Sequence, residues 1–261
     1  MGTQDLVTLA IPGLVDVVEI GGSHRLLRAR EQAGDRTVAV RLLGVEADDR
    51  FEYAVLALEA LSQHPHAVTV YGSGCGADGR GYVLLELLEE GSLSEWVAAD
   101  GRLSCAEALD VIVKIAGALE TAHRAGVVHG DLRAEQILVS AHGELRLAGL
   151  DRAVFRSVKA TIESLPRPPV CDDIHALGAL MLTLLTAGPL GDDLPEMALK
   201  RCGIPLSLQR LICRCLDGDP ALRPATAAGL AAALQRVQTE VGLTPTALWI
   251  IQAAADDARE A

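Results

Sequence analysis

The stretch VVHGDLRAEQILVS, from Val127 to Ser140, joins a His-Gly-Asp triplet to an apolar run that is typical of a β-strand. Before it, apolar residues recur with helical spacing, as at Leu109 and Leu119, which predicts a buried helix. A helix, a short polar loop and a strand therefore follow one another. The arrangement raises the question of whether Asp131, the carboxylate of the triplet, takes part in chemistry.

Composition bounds the answer. The chain has 261 residues, enough for one large domain or two lobes, and only 3% of them are aromatic, so its core must be built from Ala, Leu and Val. The formal net charge is -12, which argues against nucleic acid as a partner because phosphate binding needs a basic face. An acidic surface of this kind serves solubility.

The cysteines and the apolar segments indicate where the protein acts. None of the six cysteines forms a CxxC pair, which favours free thiols in a reducing cytoplasm over a disulfide or zinc framework. The N-terminus lacks the basic and apolar regions of a signal peptide. The longest uncharged stretch, from Ala176, is short and broken by glycine, which favours a core helix over a membrane span. We expect a cytoplasmic protein that binds no membrane.

The hydrophobic period changes at Leu88, which predicts an α+β fold. Before that residue come five short strand-like segments with one helix, from about Asp49 to Ser62, between the third and the fourth. After it the pattern is mostly helical, and SLSE and SCAE at residues 92–95 and 104–107 are capping boxes. We predict a single domain, 1–261, made of an N-lobe (11–88), a C-lobe (89–241) and a loosely held tail (242–261).

This order of elements resembles the eukaryotic-type (Hanks-type) Ser/Thr protein kinases of actinobacteria, from about Ile11 to Val241. RTVAVRLL looks like the family's third strand, YVLLELLEEGSL its hinge, DDIHALGALMLTLL its buried helix F, and DPALRPATA its final Arg-containing turn. The resemblance implies a bilobal protein-kinase-like fold with a small antiparallel sheet and a larger helical lobe. It also implies that Asp173, near the start of helix F, bonds back to the catalytic loop.

The resemblance places a nucleotide pocket in the N-lobe and at the hinge. It maps this degenerate pocket to Ala39, Arg41, Leu85, Glu86, Leu88 and Leu138. Arg41 replaces the strand-three Lys, and the helix C Glu that would orient it aligns with Ala54. Neither Glu52 nor Glu59 has the right spacing to stand in. The glycine-rich loop is short and has His24 and Arg25 where glycines belong, so we expect poor coverage of phosphates.

In the catalytic loop, His129 and Asp131 match the family, and Asp131 corresponds to its base. Other positions differ. Gly130 replaces an Arg, Arg133 replaces a phosphate-contacting Lys, and Gln136 replaces the metal-binding Asn, one methylene longer.

The DFG segment reads GLD, so Gly149 occupies the position of the main metal-binding Asp, and Asp151 lies where the family has Gly. The activation segment, from Asp151 to Asp173, is short and lacks the acidic residue that normally pairs with Arg223. We therefore expect Arg223 to be either exposed or paired with another carboxylate, Asp217 or Asp219 being nearest in sequence.

These departures favour a pseudokinase, a non-catalytic regulatory or scaffolding module, over an enzyme. We expect Asp131 to be a vestigial base that orders its loop, with no metal, no cofactor and only weak, metal-independent ATP binding. The expected partner is a protein, either an active Ser/Thr kinase or its substrate.

Two alternatives stay open. One is a weakly active ATP-dependent Ser/Thr kinase with Asp131 as base, Arg41 or Arg28 on the phosphates, and Asp151 or Gln136 on a metal. The other is a small-molecule phosphotransferase, a class of enzyme that shares the HGD loop but also needs a metal-binding Asp near position 149.

Overall fold

A computed structural model describes residues 11–20, 25–46, 49–154, 169–186 and 194–251. Its first part is a five-stranded antiparallel sheet in the order β1-β2-β3-β5-β4. The strands are β1 (Leu14–Glu19), β2 (Leu26–Glu31), β3 (Thr37–Glu46), β4 (Val70–Cys75) and β5 (Arg80–Glu86), and helix α1 (Asp49–Leu61) lies between β3 and β4. Each predicted strand of the N-lobe, and its helix, is present.

Strand β3 decides which side chains face the interior between the lobes. Val38 and Val40 are fully buried in a small core on one face of the sheet, whereas Ala39 belongs to the main core on the other. Successive side chains of a strand point to opposite faces, so Arg41 shares the face of Ala39. The alternation in RTVAVRLL thus places the side chain of Arg41 on the face that borders the space beneath the sheet.

The second part is mostly helical. Its elements are α2 (Leu93–Asp100), α3 (Cys105–Arg124), β6 (Ile137–Val139), β7 (Leu145–Leu147), α4 (Val170–Thr186), α5 (Pro195–Arg201), α6 (Leu206–Cys215) and α7 (Ala227–Glu240). Both predicted capping boxes are formed, at the starts of α2 and α3. A five-stranded sheet followed by a helical part confirms the bilobal kinase-like α+β fold. Within the described ranges, no helix combines the length and apolar character that crossing a membrane requires.

Residues 243–251 lie along helix α3, so the prediction of a loose tail does not hold for them. Thr246 donates a hydrogen bond to Asp110 and accepts one from Gln238. The backbone N–H of Ile251 donates to Thr121, also on α3. Polar side chains of two helices therefore satisfy this irregular backbone. Residues 252–261 of the predicted tail lie outside the described residues.

A glycine on α3 lets the same segment come close. A Cβ on Gly117 would lie 2.4 Å from the carbonyl oxygen of Trp249. That carbonyl is also 3.0 Å from Nε2 of the buried His64. Any larger residue at position 117 must displace the segment.

Candidate active site

The catalytic loop is anchored from below by one carboxylate. Asp173 is fully buried at the start of α4, where its Oδ1 accepts from the backbone N–H of Gly130 (2.7 Å) and its Oδ2 from that of His129 (2.8 Å). Oδ2 also lies 2.8 Å from Nε2 of His123. Burial raises the pKa of Asp173, but the hydrogen bonds from His123, Gly130 and His129 outweigh it and hold that pKa below its usual value. The predicted contact between helix F and the catalytic loop is confirmed.

His129 ties the loop to the segment after β7. Its Nε2 donates to the carbonyl of Ala148 at 2.8 Å, and its Nδ1 accepts from the backbone N–H of Asp131 at 3.3 Å. Burial lowers the pKa of His129, which keeps the ring neutral and suits one donor and one acceptor. The side chain positions the loop and is not itself accessible.

Asp131 contacts cations rather than the loop backbone. Its side chain is 39% exposed, with Oδ1 3.2 Å from Nε of Arg133 and Oδ2 3.4 Å from Nη2 of Arg152. We expected this carboxylate to order the loop through backbone hydrogen bonds, but Asp173 does that from below. The carboxylate of Asp131 is therefore left open to solvent, where it can accept a proton.

A cavity of about 120 Å³ lies beneath the sheet and beside the hinge. All six residues predicted for a nucleotide pocket line it: Ala39, Arg41, Leu85, Glu86, Leu88 and Leu138. Its other walls are largely apolar, including Leu58, Val68 and Leu147. The volume is below the ~300–1,000 Å³ typical of ligand pockets. That the six residues bind a nucleotide stays a prediction.

The hinge end of this cavity is held by a polar cluster. The carboxylate of Glu86 accepts hydrogen bonds from the backbone and hydroxyl of Thr69 and lies 3.4 Å from Nε of Arg146. Arg146 belongs to β7 and also donates to the carbonyl of Pro65, just before β4. Three separate segments are therefore joined at the first hinge residue.

Arg41 has a carboxylate partner, but not one on the helix. Its Nε lies 3.0 Å from Oδ2 of Asp151, and the two side chains are 19% and 4% exposed. Neither atom has an aligned hydrogen-bond partner among the described residues, so the attraction is electrostatic and undirected. On α1, Ala54 is fully buried, while Glu52 and Glu59 are exposed. The helix position that normally supplies this pair is thus filled by a packing residue.

The turn at Gly149 brings Asp151 into the cavity. Strand β7 pairs with β6 up to Leu147, Gly149 adopts a φ of +85°, and residues 150–154 are helical. A chain that turned into a strand-like continuation would carry Asp151 elsewhere. Gly149 is in the left-handed region, which glycine adopts readily.

The resemblance implies a metal ion between position 149 and Gln136, and the residues present do not fit one. Gly149 offers no ligand, and a Cβ there would lie 3.0 Å from Oε1 of Gln136 and 3.3 Å from Nη2 of Arg152. A guanidinium so near repels a divalent cation. Mg²⁺ is usually bound by one or two protein carboxylates together with substrate phosphates, and Asp131 and Asp151 are both already paired with arginines.

Arg28 lies on the face of the sheet that borders the cavity, opposite the lining residue Ala39. It pairs with Ala39 across β2 and β3, so the two side chains share a face, and its Nε is 3.3 Å from Oε1 of Glu89 just beyond the hinge. Both side chains of this ion pair are largely exposed. Arg28 is therefore near the predicted pocket but engaged elsewhere.

Arg223 is 10% exposed, and its partners differ from the predicted ones. Its Nε donates to the backbone carbonyl of Asp217, and its Nη1 donates to the carbonyl of Cys171 and lies 3.7 Å from the carboxylate of Asp172. The prediction that Arg223 pairs with another carboxylate is confirmed, with Asp172 in place of Asp217 or Asp219, while Asp217 contributes its backbone carbonyl. The predictions for His24 and for the middle of the activation segment, 155–168, lie outside the described residues.

Comparison with known proteins shows the family. The model of the protein kinase domain matches residues 18–165, more than half of the chain. The Ser/Thr-protein kinase PknK of Mycobacterium tuberculosis is 31% identical over 89% of this chain, and PknL of the same species is 29% identical over 85%. PknB of Mycobacterium leprae is 26% identical over 87%. The chain belongs to the protein kinase family.

These comparisons have two consequences. The chain spans 24% of the length of PknK, 64% of PknL and 43% of PknB, so its resemblance is to part of each relative. The expectation that the chain is not an enzyme is wrong on this comparison, because relatives at about 30% identity are named Ser/Thr-protein kinases. The residue replacements found in the sequence do not by themselves establish a loss of activity.

Proposed function

We propose that the chain is an atypical ATP-dependent Ser/Thr protein kinase with Asp131 as its base. The observation that carries this is the catalytic loop: Asp173 and His129 hold its backbone, and the carboxylate of Asp131 is left accessible. In the reaction, the substrate hydroxyl oxygen attacks the γ-phosphorus of ATP, Asp131 takes the hydroxyl proton, and ADP leaves.

On this proposal the cavity takes the adenine and Arg41 contacts the phosphates. Apolar walls and the hinge backbone suit a flat heterocycle. Arg41 is the cation on the inner face of β3, but its attraction to Asp151 must be shared with any phosphate. Arg28 can reach the phosphates once its exposed pair with Glu89 opens, which costs at most about 1 kcal/mol.

ATP binding is weak and requires no metal under this proposal. The negative charge of Asp151 next to Arg41 opposes the phosphates, and the residues around Gly149 do not fit Mg²⁺. Removal of one preorganised charge-stabilising group typically slows an enzyme by roughly 10²–10³-fold. We expect turnover lower than the roughly 1–100 per second of a typical kinase by at least that factor.

The proposed partners are proteins that present a Ser or Thr hydroxyl, including a second Ser/Thr kinase. The proposed place of action is the cytoplasm, which is supported by the absence of disulfides: all six cysteines lie in the described residues and are free.

Transfer of labelled phosphate from ATP tests the function. The chain is incubated with γ-labelled ATP and generic protein substrates, with and without Mg²⁺. We expect slow incorporation that Asp131→Asn abolishes and that the control Asp110→Asn, on α3, leaves unchanged. Incorporation that persists in Asp131→Asn excludes Asp131 as the base, and no incorporation under any condition rejects the kinase proposal.

A further inference from the structure

The side chain of Arg152 reaches Gly149, the position that the resemblance assigns to a metal-binding Asp. Its Nη2 is 3.3 Å from the point that a Cβ on Gly149 would occupy, and the family's metal-binding carboxylate would project from there. The same Nη2 is 3.4 Å from Oδ2 of Asp131. One guanidinium nitrogen therefore contacts both the proposed base and the position of the missing ligand.

We infer that the guanidinium of Arg152 supplies the positive charge that a metal ion would otherwise bring to the phosphate chain. The inference rests on the proposed function and names a further binding residue for it. Its ligand is a triphosphate free of metal. Arginine suits this role because it stays charged and its N–H groups match phosphate oxygens in pairs.

The surrounding charges favour an anion over a cation. Arg152 is 45% exposed, so its remaining N–H groups are accessible, and Arg133 lies on the opposite oxygen of Asp131. Two guanidinium groups share one carboxylate, which leaves a net positive charge beside the base. A divalent cation would be repelled from this place, whereas a phosphate group can bridge the two arginines.

Gly149 makes this arrangement possible. With φ of +85° and no side chain, it leaves room for the end of Arg152, where a Cβ would already lie in tight contact. An Asp at this position would place its carboxylate in the space that the end of Arg152 now occupies. Sequence comparison alone registers only the loss of that carboxylate.

Calorimetric titration without phosphoryl transfer tests the inference. ATP is titrated into the wild-type chain and into Arg152→Gln, once in EDTA and once with Mg²⁺, and tripolyphosphate serves as a second probe without adenine. The control is Arg30→Gln, because Arg30 is also 45% exposed and also paired with carboxylates, Asp16 and Asp35.

In EDTA we expect Arg152→Gln to weaken ATP and tripolyphosphate roughly tenfold, as loss of one charge-assisted contact would, while Arg30→Gln stays within about twofold of wild type. Mg²⁺ should weaken wild-type binding, because chelated phosphates carry less charge. In Arg152→Gln, Mg²⁺ should weaken ATP binding less than in the wild type, or strengthen it.

Equal affinities of Arg152→Gln and wild type in EDTA would overturn the inference, and so would tightening of the wild type by Mg²⁺ or no binding of either probe at millimolar concentration. The kinase proposal fails separately. If binding depends on Arg152 but no phosphate is transferred from ATP, the kinase proposal is rejected and the anion site stands. If phosphate is transferred but Arg152→Gln binds ATP as the wild type does, the anion site is rejected and the kinase proposal stands.

Discussion

The catalytic loop and the segment that follows β7 face each other across the same site but are held by different means. The loop is fixed by directed hydrogen bonds from a fully buried carboxylate, Asp173, and by His129. The segment is fixed by an undirected ion pair between Arg41 and Asp151. Compared with the family's sequence pattern, the residues that position Asp131 are thus kept, whereas the residues expected to contact the phosphates are replaced.

The largest expected effect on stability comes from removing the Asp173 carboxylate that anchors the catalytic loop. Asp173→Ala leaves the buried N–H of His129 and the N–H of Gly130 without the acceptor they have now, so we expect a loss of about 3–5 kcal/mol in the free energy of unfolding. Denaturant unfolding measures it. The control is Asp172→Ala, at the preceding and exposed position of the same helix, for which we expect a loss in unfolding free energy below about 1 kcal/mol.

The difference in unfolding free energy between wild type and Asp173→Ala should depend on pH. Because the pKa of Asp173 is held below its usual value, its stabilisation is fully present above about pH 4 and is lost as pH falls through the lowered pKa. The gap between wild type and Asp173→Ala should therefore narrow in acid. A gap that stays constant from neutral pH to acid would contradict the hydrogen-bonded, ionised state of Asp173.

Removing the charge of Asp151 separates stability from ligand binding. Asp151→Asn leaves Arg41 without its counter-ion, and we expect a loss of about 2 kcal/mol in stability, since Arg41 keeps some access to solvent. It also frees Arg41 for phosphate, so metal-free ATP should bind severalfold more tightly. Titration of ATP in EDTA measures this. Weaker ATP binding would show that Asp151 assists the ligand instead of competing with it.

A smaller effect is expected from returning the family's acid to position 149. Gly149→Asp forces a side chain into a backbone with φ of +85° and against Gln136 and Arg152, at a cost of about 1–2 kcal/mol. Gly143→Asp is the matched control, since Gly143 also has a positive φ but nothing within 4 Å of its Cβ position.

The ligand-binding outcome of Gly149→Asp sharpens the comparison further. We expect it not to create Mg²⁺-dependent ATP binding, because Arg152 remains beside the new carboxylate and can pair with it. Tightening of ATP by Mg²⁺ in Gly149→Asp would show that the rebuilt side of the site differs from the family by one residue only.

How much the sequence could predict follows from how local the interactions are. The capping boxes of α2 and α3 are local patterns, and they gave the helix starts correctly. The partner of Arg41 could not be found this way. It depends on the positive φ of Gly149, which turns the chain into a helix and brings Asp151 inward.

Two other features of the structure were even harder to predict from the sequence. Arg152 follows Asp151 as one charged residue among many, and only the missing side chain at Gly149 makes its position meaningful. In residues 243–251, Leu243 and Leu248 pack against the core, and Thr246 is held by Asp110, 136 positions away in the chain. Polar contacts at such separation carry no periodicity, so a tail that is fixed was predicted to be loose.

The polar cluster at Glu86 has a consequence for how a ligand enters and leaves. At one edge of the cavity, Glu86 is joined to Thr69 and Arg146 by partly buried contacts, whereas the ion pair of Arg28 and Glu89 is exposed. The exposed pair is cheaper to break than the cluster at Glu86, so we expect a ligand to exchange on the side of Arg28 and Glu89. Since salt screens exposed charges, added salt should speed both entry and escape without changing the resting shape of the cavity.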